Sequence, residues 1–231
     1  MADTSYATVN ELKADIQKTK DTDDAALQRI LNAAAQTVDN YCRQGEGKPS
    51  GARDFFLADT TASACTFAGS GQAYQRIPDC VSVTLVEVKD SITDSDYTSW
   101  AATDWNLASG SLRHPDFNRE PYDLLLTDPN GDYSVFTSGI YLGLSGFPPS
   151  GSVMRPVPTV QITAKWGYAT TVPDGIAAAT IMQAARWYKR LQGAMADTLA
   201  SAEIGRLLFT SKIDPDVALI LREGGYWRPV I

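Results

Sequence analysis

The sequence predicts an α+β fold that is mainly α, a helical unit of about four helices interrupted by a β-rich insertion. Two observations carry that expectation. Apolar residues recur at helical spacing near both ends of the 231-residue chain and alternate at strand spacing in its middle. Charge divides the same way: residues 87–132 hold ten acidic and three basic residues, a net −7, while 1–86 carry −3 and 133–231 carry +3. The expected organisation is N-terminal helices over 1–51, the insertion over 52–166, C-terminal helices over 167–225 and a short tail over 226–231.

Each element has a local signal. Thr8-Val9-Asn10-Glu11 is a capping box, with Thr8 accepting the backbone N–H of Glu11 while Glu11 reaches back, and it opens a helix running to about Lys18. Asp21, Asp23 and Asp24 load negative charge onto a second helix start, where the helix dipole favours it. Leu27, Ile30, Leu31, Ala34, Val38 and Tyr41 then mark one apolar side over 23–43, and Gly45, Gly47, Pro49 and Gly51 stop the helix. Short β-type runs at 55–57 and 65–67 precede an eight-residue alternation over 81–88, and 122–126 and 159–166 read as two more strands. Asp128-Pro129-Asn130-Gly131 has the residues of a tight turn that would close a hairpin onto 133–136. Residues 143–158, with four prolines and three glycines, predict an exposed loop. Pro173-Asp174 starts a third helix with Ile176, Ala179, Ala184, Trp187, Tyr188 and Leu191 on its apolar side and Arg186, Lys189 and Arg190 at a basic end. Residues 193–213 are weakly patterned. Asp214-Pro215-Asp216 caps a last helix to about Arg222, and Gly224-Gly225 is expected to end it and release the tail.

Composition and spacing remove several classes of function. At 44% hydrophobic and 20% charged residues the chain is globular, and an overall charge of −7 argues against a broad phosphate-binding face. No 18-residue apolar run occurs, and the start lacks the basic and apolar regions of a secretory signal, so neither a membrane span nor such a signal is expected. Cys42, Cys65 and Cys80 are widely spaced and odd in number, which reads as three free thiols in a reducing compartment. His114 is the single histidine, so a zinc site and a nucleophile–histidine triad are both disfavoured. Gly69-Ser70-Gly71-Gln72-Ala73-Tyr74 has tyrosine where a dinucleotide fingerprint needs its third glycine, and Gly143-Leu144-Ser145-Gly146 is one residue short of a nucleophile elbow. Asp128, Asn130 and Asp132 have the opening spacing of a calcium loop, yet the twelfth position is Gly139. Turn chemistry accounts for all three motifs. No catalytic residue, metal site or cofactor is therefore expected.

Four segments in order carry a family resemblance. They are Tyr6-Ala7-Thr8-Val9 with Leu12-Lys13; Thr22-Asp23-Asp24-Ala25 with Leu27-Gln28-Arg29-Ile30-Leu31; Ile162 to Ala169 followed by Val172-Pro173 and a helix ending Ala184-Ala185-Arg186-Trp187-Tyr188-Lys189-Arg190; and Lys212-Ile213-Asp214-Pro215-Asp216-Val217. The set resembles the head–tail adaptor (connector) proteins of long-tailed bacteriophages, over about 110 residues at the two helical ends. The resemblance implies a non-enzymatic structural protein of the virion neck, assembled in the host cytoplasm. It would form a dodecameric ring beneath the portal protein, extend the DNA channel without reading sequence, and receive a stopper or tail-completion protein. It further implies that the C-terminal segment reaches the portal. Here that segment is Tyr226, Trp227, Arg228, Pro229, Val230 and Ile231, whose aromatic rings and extended apolar end suit docking. Arg186, Lys189 and Arg190 are candidates for ring or channel contacts, although a basic last turn also complements a helix dipole. The free chain is expected to be a monomer or weak oligomer. Two other classes draw on parts of the sequence: a carbohydrate-binding β module using Trp100, Trp105 and Tyr97 as stacking platforms, and a hydrolase using Asp94, Asp96 and Asp104.

Overall fold

The computed structural model describes residues 6–18, 23–43, 48–51, 54–109, 119–139, 156–192, 198–201, 205–208 and 213–227. Two compact units emerge. One is drawn from 1–47, 53–57 and 171–231, the other from 48–52 and 58–170.

The first unit holds helices α1 (Val9–Asp15), α2 (Asp24–Arg43), α3 (Asp174–Gln192) and α4 (Pro215–Glu223). Local sequence rules place their ends. Thr8 caps α1 through the full capping box, and its backbone and side-chain hydrogen bonds hold the Glu11 carboxyl below the usual carboxylate range. Asp214 caps α4 by accepting the Asp216 N–H at 3.0 Å, with Pro215 in the first turn. Leu27, Leu31, Ala34, Ala35, Val38 and Cys42 form one buried stripe along α2, at the spacing that aligns side chains on a helix face. Leu27, Leu31 and Ala34 of this stripe pack with Ala7, Leu12 and Ala184 in one core cluster of the unit. A buried polar node ties three separated stretches together. The Tyr6 hydroxyl donates to Asp39 Oδ1 at 2.6 Å and accepts the Phe56 N–H at 3.0 Å.

The second unit holds β1 (Ser63–Ala68), β2 (Tyr74–Val88), β3 (Thr98–Ser99), β4 (Trp105–Ala108), β5 (Tyr122–Thr127) and β6 (Pro158–Trp166). They form an antiparallel sheet in the order β1-β6-β2-β5-β4, with β3 paired to β2. Its core contains Trp166, Phe136, Leu125, Ile162, Val86 and Trp100. Trp166 is wholly buried and donates its indole N–H to the Ser63 carbonyl at 3.0 Å. A two-stranded hairpin, β7 (Thr198–Ser201) with β8 (Gly205–Leu208), lies between α3 and α4 in sequence.

This architecture corrects the expectation of a mainly α fold. The described residues hold four helices and a six-stranded sheet, each with its own buried core, so the protein is α+β with the sheet as a principal element. The underestimate has a physical source. β2 runs for 15 residues rather than the eight that alternate cleanly, because register shifts around Pro78 and Cys80 absorb a proline that cannot donate to the ladder. Residues 133–136 are not a strand. The Asp128–Gly131 turn forms, with Gly131 N–H on the Asp128 carbonyl at 3.1 Å, but the chain then crosses to bond Phe136 N–H to the Gln72 carbonyl at 2.9 Å. Phe55 and Phe56 lie in a turn, with Leu57 N–H on the Asp54 carbonyl at 3.2 Å, rather than in a strand. Most of the loop expected over 143–158 lies outside the described residues.

The Tyr6 node sets a prediction. Replacing Tyr6 with Phe keeps the ring but removes one buried hydrogen bond each from Asp39 and the Phe56 N–H, which should lower stability by about 1–3 kcal/mol. Urea denaturation checks this, and an unchanged midpoint contradicts the assignment.

Candidate docking groove on the helical unit

A second stripe on α2 lies beside the buried one. Ala26, Arg29, Ile30 and Ala33 follow helical spacing and face the last turns of α3, where Trp187, Arg190 and Leu191 complete a groove of about 530 Å³. Ile30 and Trp187 pack against the core of the unit and so form a fixed floor. Leu191 is 49% exposed, which is high for a leucine on a helix already packed along its other face.

Two guanidinium groups accompany this apolar lining. Arg29 is exposed. Arg190 is half-buried, and its Nη2 is buried with no hydrogen-bond acceptor among the described residues. A buried donor left unmatched costs about 1–3 kcal/mol. A groove of this composition fits an apolar side chain accompanied by a carboxylate, since a guanidinium pairs best with a planar anion.

The other basic residues of α3 have different surroundings. Arg186 Nη1 donates to Asp214 Oδ2 at 2.6 Å, and the Gln183 side chain accepts the Asp214 N–H at 3.0 Å, so Arg186 positions the cap of α4. Lys189 is exposed. The expected cluster therefore divides into one structural arginine, one solvated lysine and one arginine in the groove.

The C-terminal segment does not come free at the glycine pair. Gly225 has φ +72°, and Gly225 N–H bonds the Arg222 carbonyl while Tyr226 N–H bonds the Leu221 carbonyl, both at 3.1 Å. This is a Schellman closure, which turns the chain back rather than releasing it. Tyr226 meets the Phe56 ring edge-on at 5.8 Å between centroids. Its ring is seated on Gly175 and Gly224, where a Cβ would come within 2.9 and 2.5 Å of Cε2. Trp227 is half-buried with the Arg222 guanidinium 5.7 Å from its ring centre, and Arg222 also lies 5.9 Å from the Tyr41 ring. Arg228, Pro229, Val230 and Ile231 lie outside the described residues.

The alternative sites are not assembled. Trp100 is buried, stacked on Tyr133 at 4.5 Å and on Phe136 at 4.9 Å, so it offers no platform to a sugar. Tyr97 donates its hydroxyl to the Pro158 carbonyl at 3.2 Å, and Trp105 is half-buried. Asp94 accepts the Ser91 N–H, and buried Asp104 accepts the backbone N–H groups of Ala101 and Asp132. Both carboxylates thus hold turns, and Asp96 is exposed. Asp128 accepts the Asn130 N–H and the Asn106 amide, which hold its carboxyl below the usual range. No group of three metal-ligating side chains occurs among the described residues. The three cysteines are free, and burial pushes the Cys42 and Cys80 thiols up to about 12, leaving them protonated. The Gly69 turn serves close packing, with its N–H on Thr159 Oγ1 at 3.0 Å and no room for a Cβ against the Thr137 carbonyl. His114 and the Gly143–Gly146 motif lie outside the described residues. No described helix is long and apolar enough to cross a membrane.

No protein-family model matches the sequence, and no curated protein matches it. Among solved structures, the chain is similar to one in the "Neck of native GTA particle computed with C12 symmetry". That alignment has 16% identity and a TM-score of 0.44, and covers 95% of this chain and 89% of that one.

The groove residues were partly visible in sequence. Arg190, Leu191 and Trp187 were singled out on α3, but Arg29 looked like any exposed helix residue. Its spacing of three from Ala26 and four from Ala33 was the available signal. The two arginines give opposite predictions. Arg190→Leu should leave stability unchanged or raise it, because it removes an unmatched buried donor. Arg186→Leu should lower it by roughly 1–3 kcal/mol by stripping Asp214 of its ion pair. Thermal denaturation of both variants reads the difference, and equal losses contradict the assignment.

Proposed function

We propose that this protein is a structural head–tail connector of a tailed phage or phage-like particle. It assembles as a ring beneath the portal, lines the path of the DNA and receives a stopper or tail-completion protein. The reading rests first on the ordered sequence segments that resemble connector proteins. The helical parts of that set fall on α1, α2, α3 and α4, which pack as one unit from the two ends of the chain. The observation that carries the reading furthest is the groove between α2 and α3, an apolar trough where Arg190 Nη2 has no acceptor among the described residues. A single-copy enzyme gains nothing from such a surface, whereas a subunit that must be covered by another protein does.

The role is non-enzymatic and needs no cofactor or metal. The ring is a dodecamer in this reading, located in the virion neck after assembly in the host cytoplasm. Net negative charge suits a channel subunit, because each lysine or arginine contact with phosphate would retard sliding DNA through counterion release. Trp227 and the residues after it meet the portal, with Tyr226 as the anchor that fixes where they leave the helical unit.

Deletion of the gene from a producing genome tests the proposal. DNA-filled heads and separate finished tails are expected by negative-stain electron microscopy. Joined particles in normal numbers contradict it.

A further inference from the structure

We propose that the α2–α3 groove is one half of a head-to-tail contact between copies of this chain, and that the other half is an acid-flanked apolar patch around Tyr74 and Val135 on the sheet unit of the next copy. The groove defines what its occupant needs. Its floor is apolar, Arg29 stands exposed, and Arg190 Nη2 is buried with no acceptor among the described residues. The occupant must therefore supply an exposed apolar residue with carboxylates beside it.

The sheet unit presents that chemistry at one place. Tyr74 and Val135 are 47% and 51% exposed, high values for large apolar side chains. Thr127 draws their stretches together, since its hydroxyl donates to the Ala73 and Ser134 carbonyls at 3.3 and 3.2 Å and its N–H bonds Ala73 at 2.9 Å. Asp128 follows Thr127 directly, and exposed Asp132 stands three residues before Val135. The Asn106 and Asn130 hydrogen bonds to Asp128 favour its ionised form. The two carboxylates beside the patch, Asp128 and Asp132, end the acidic stretch 87–132, whereas α3 ends in basic residues. The two surfaces are alike in apolar character, and Asp128 and Asp132 oppose Arg29 and Arg190 in charge, with exposed Arg76 on the same face of β2 as Tyr74. They are different surfaces, so the contact is heterologous and propagates from copy to copy until it closes a ring or continues as a filament. Closure rests on the connector reading above; the contact itself does not.

Photo-crosslinking tests the pairing. Benzoylphenylalanine replaces Leu191 in the full chain, isotope-labelled and unlabelled copies are mixed at increasing concentration, and crosslinked peptides are mapped by mass spectrometry. Crosslinks between copies are expected at residues 72–76 or 132–136. Arg190→Glu or Asp132→Arg alone should cut their yield about tenfold, because like charges then face each other, and Arg190→Glu mixed with Asp132→Arg should restore it. Asp132 is exposed, so its variant keeps the test sound if Arg190→Glu misfolds. Crosslinks confined to one chain, crosslinks elsewhere, or no rescue by the charge swap overturn the proposal. A closed ring without these crosslinks removes the contact and keeps the connector reading. These crosslinks in an open assembly do the reverse.

Discussion

The helical unit depends on a hydroxyl that cannot be moved without taking a hydrogen bond from two other groups. Tyr6 donates to Asp39 and accepts from the Phe56 N–H, so one oxygen joins the stretch before α1, the C-terminal turns of α2 and the turn at 54–57. Burial, and then the Asp39 carboxylate beside it, push the phenol far above its ordinary pKa, so the proton stays on the oxygen and the donor role is fixed. Phe56 extends the same node. Its ring takes the edges of Tyr6, Phe55 and Tyr226, bringing residues near both termini of the sequence onto one wholly buried side chain. Edge-to-face pairs contribute about 0.5–1.5 kcal/mol each beyond area burial. A helical unit drawn from two distant stretches of chain needs such a common point, because loop closure across the intervening residues opposes its assembly.

This node also explains which features were legible in sequence. Capping at Thr8 and Asp214 and the positions of α2 and β6 were legible locally, but α1 ends at Asp15 rather than near Lys18, and the buried stripe of α2 takes Ala35 and Cys42 in place of Ile30 and Tyr41. The sheet was underestimated where distant partners decide. The first half of β2 is a strand because β5 pairs with it, despite Pro78; β3 and β4 span two and four residues and exist through their pairing. Phe55 and Phe56 carry strand-forming residue types, yet the Tyr6 hydroxyl and the aromatic neighbours hold them in a turn. Likewise Gly224-Gly225 reads as a release point, but Gly224 is also the seat of the Tyr226 ring. The groove was half legible: the basic end of α3 stood out, while Arg29 gained meaning only once α2 lay beside α3.

The same packing rule that stabilises the unit produces its open surface. α2 buries one stripe and leaves the adjacent one, with Ile30 touching the core from its edge and Ala33 exposed. α3 does the same at Trp187 and Leu191. Small residues at Ala26 and Ala33 keep the trough open, and the rigid floor beneath means that a partner can be received without reorganising the core. In the proposed contact Arg190 would favour a partner that brings a carboxylate, since its Nη2 has no acceptor among the described residues.

The central claim, that this chain is completed by another copy at the α2–α3 groove, is tested most directly by hydrogen exchange on the dilute and the assembled protein. Amides in residues 187–191 and in 72–76 and 132–136 should slow on assembly, while those of β1 at the sheet edge remain unchanged. Protection that leaves all three stretches untouched and appears elsewhere would contradict the account.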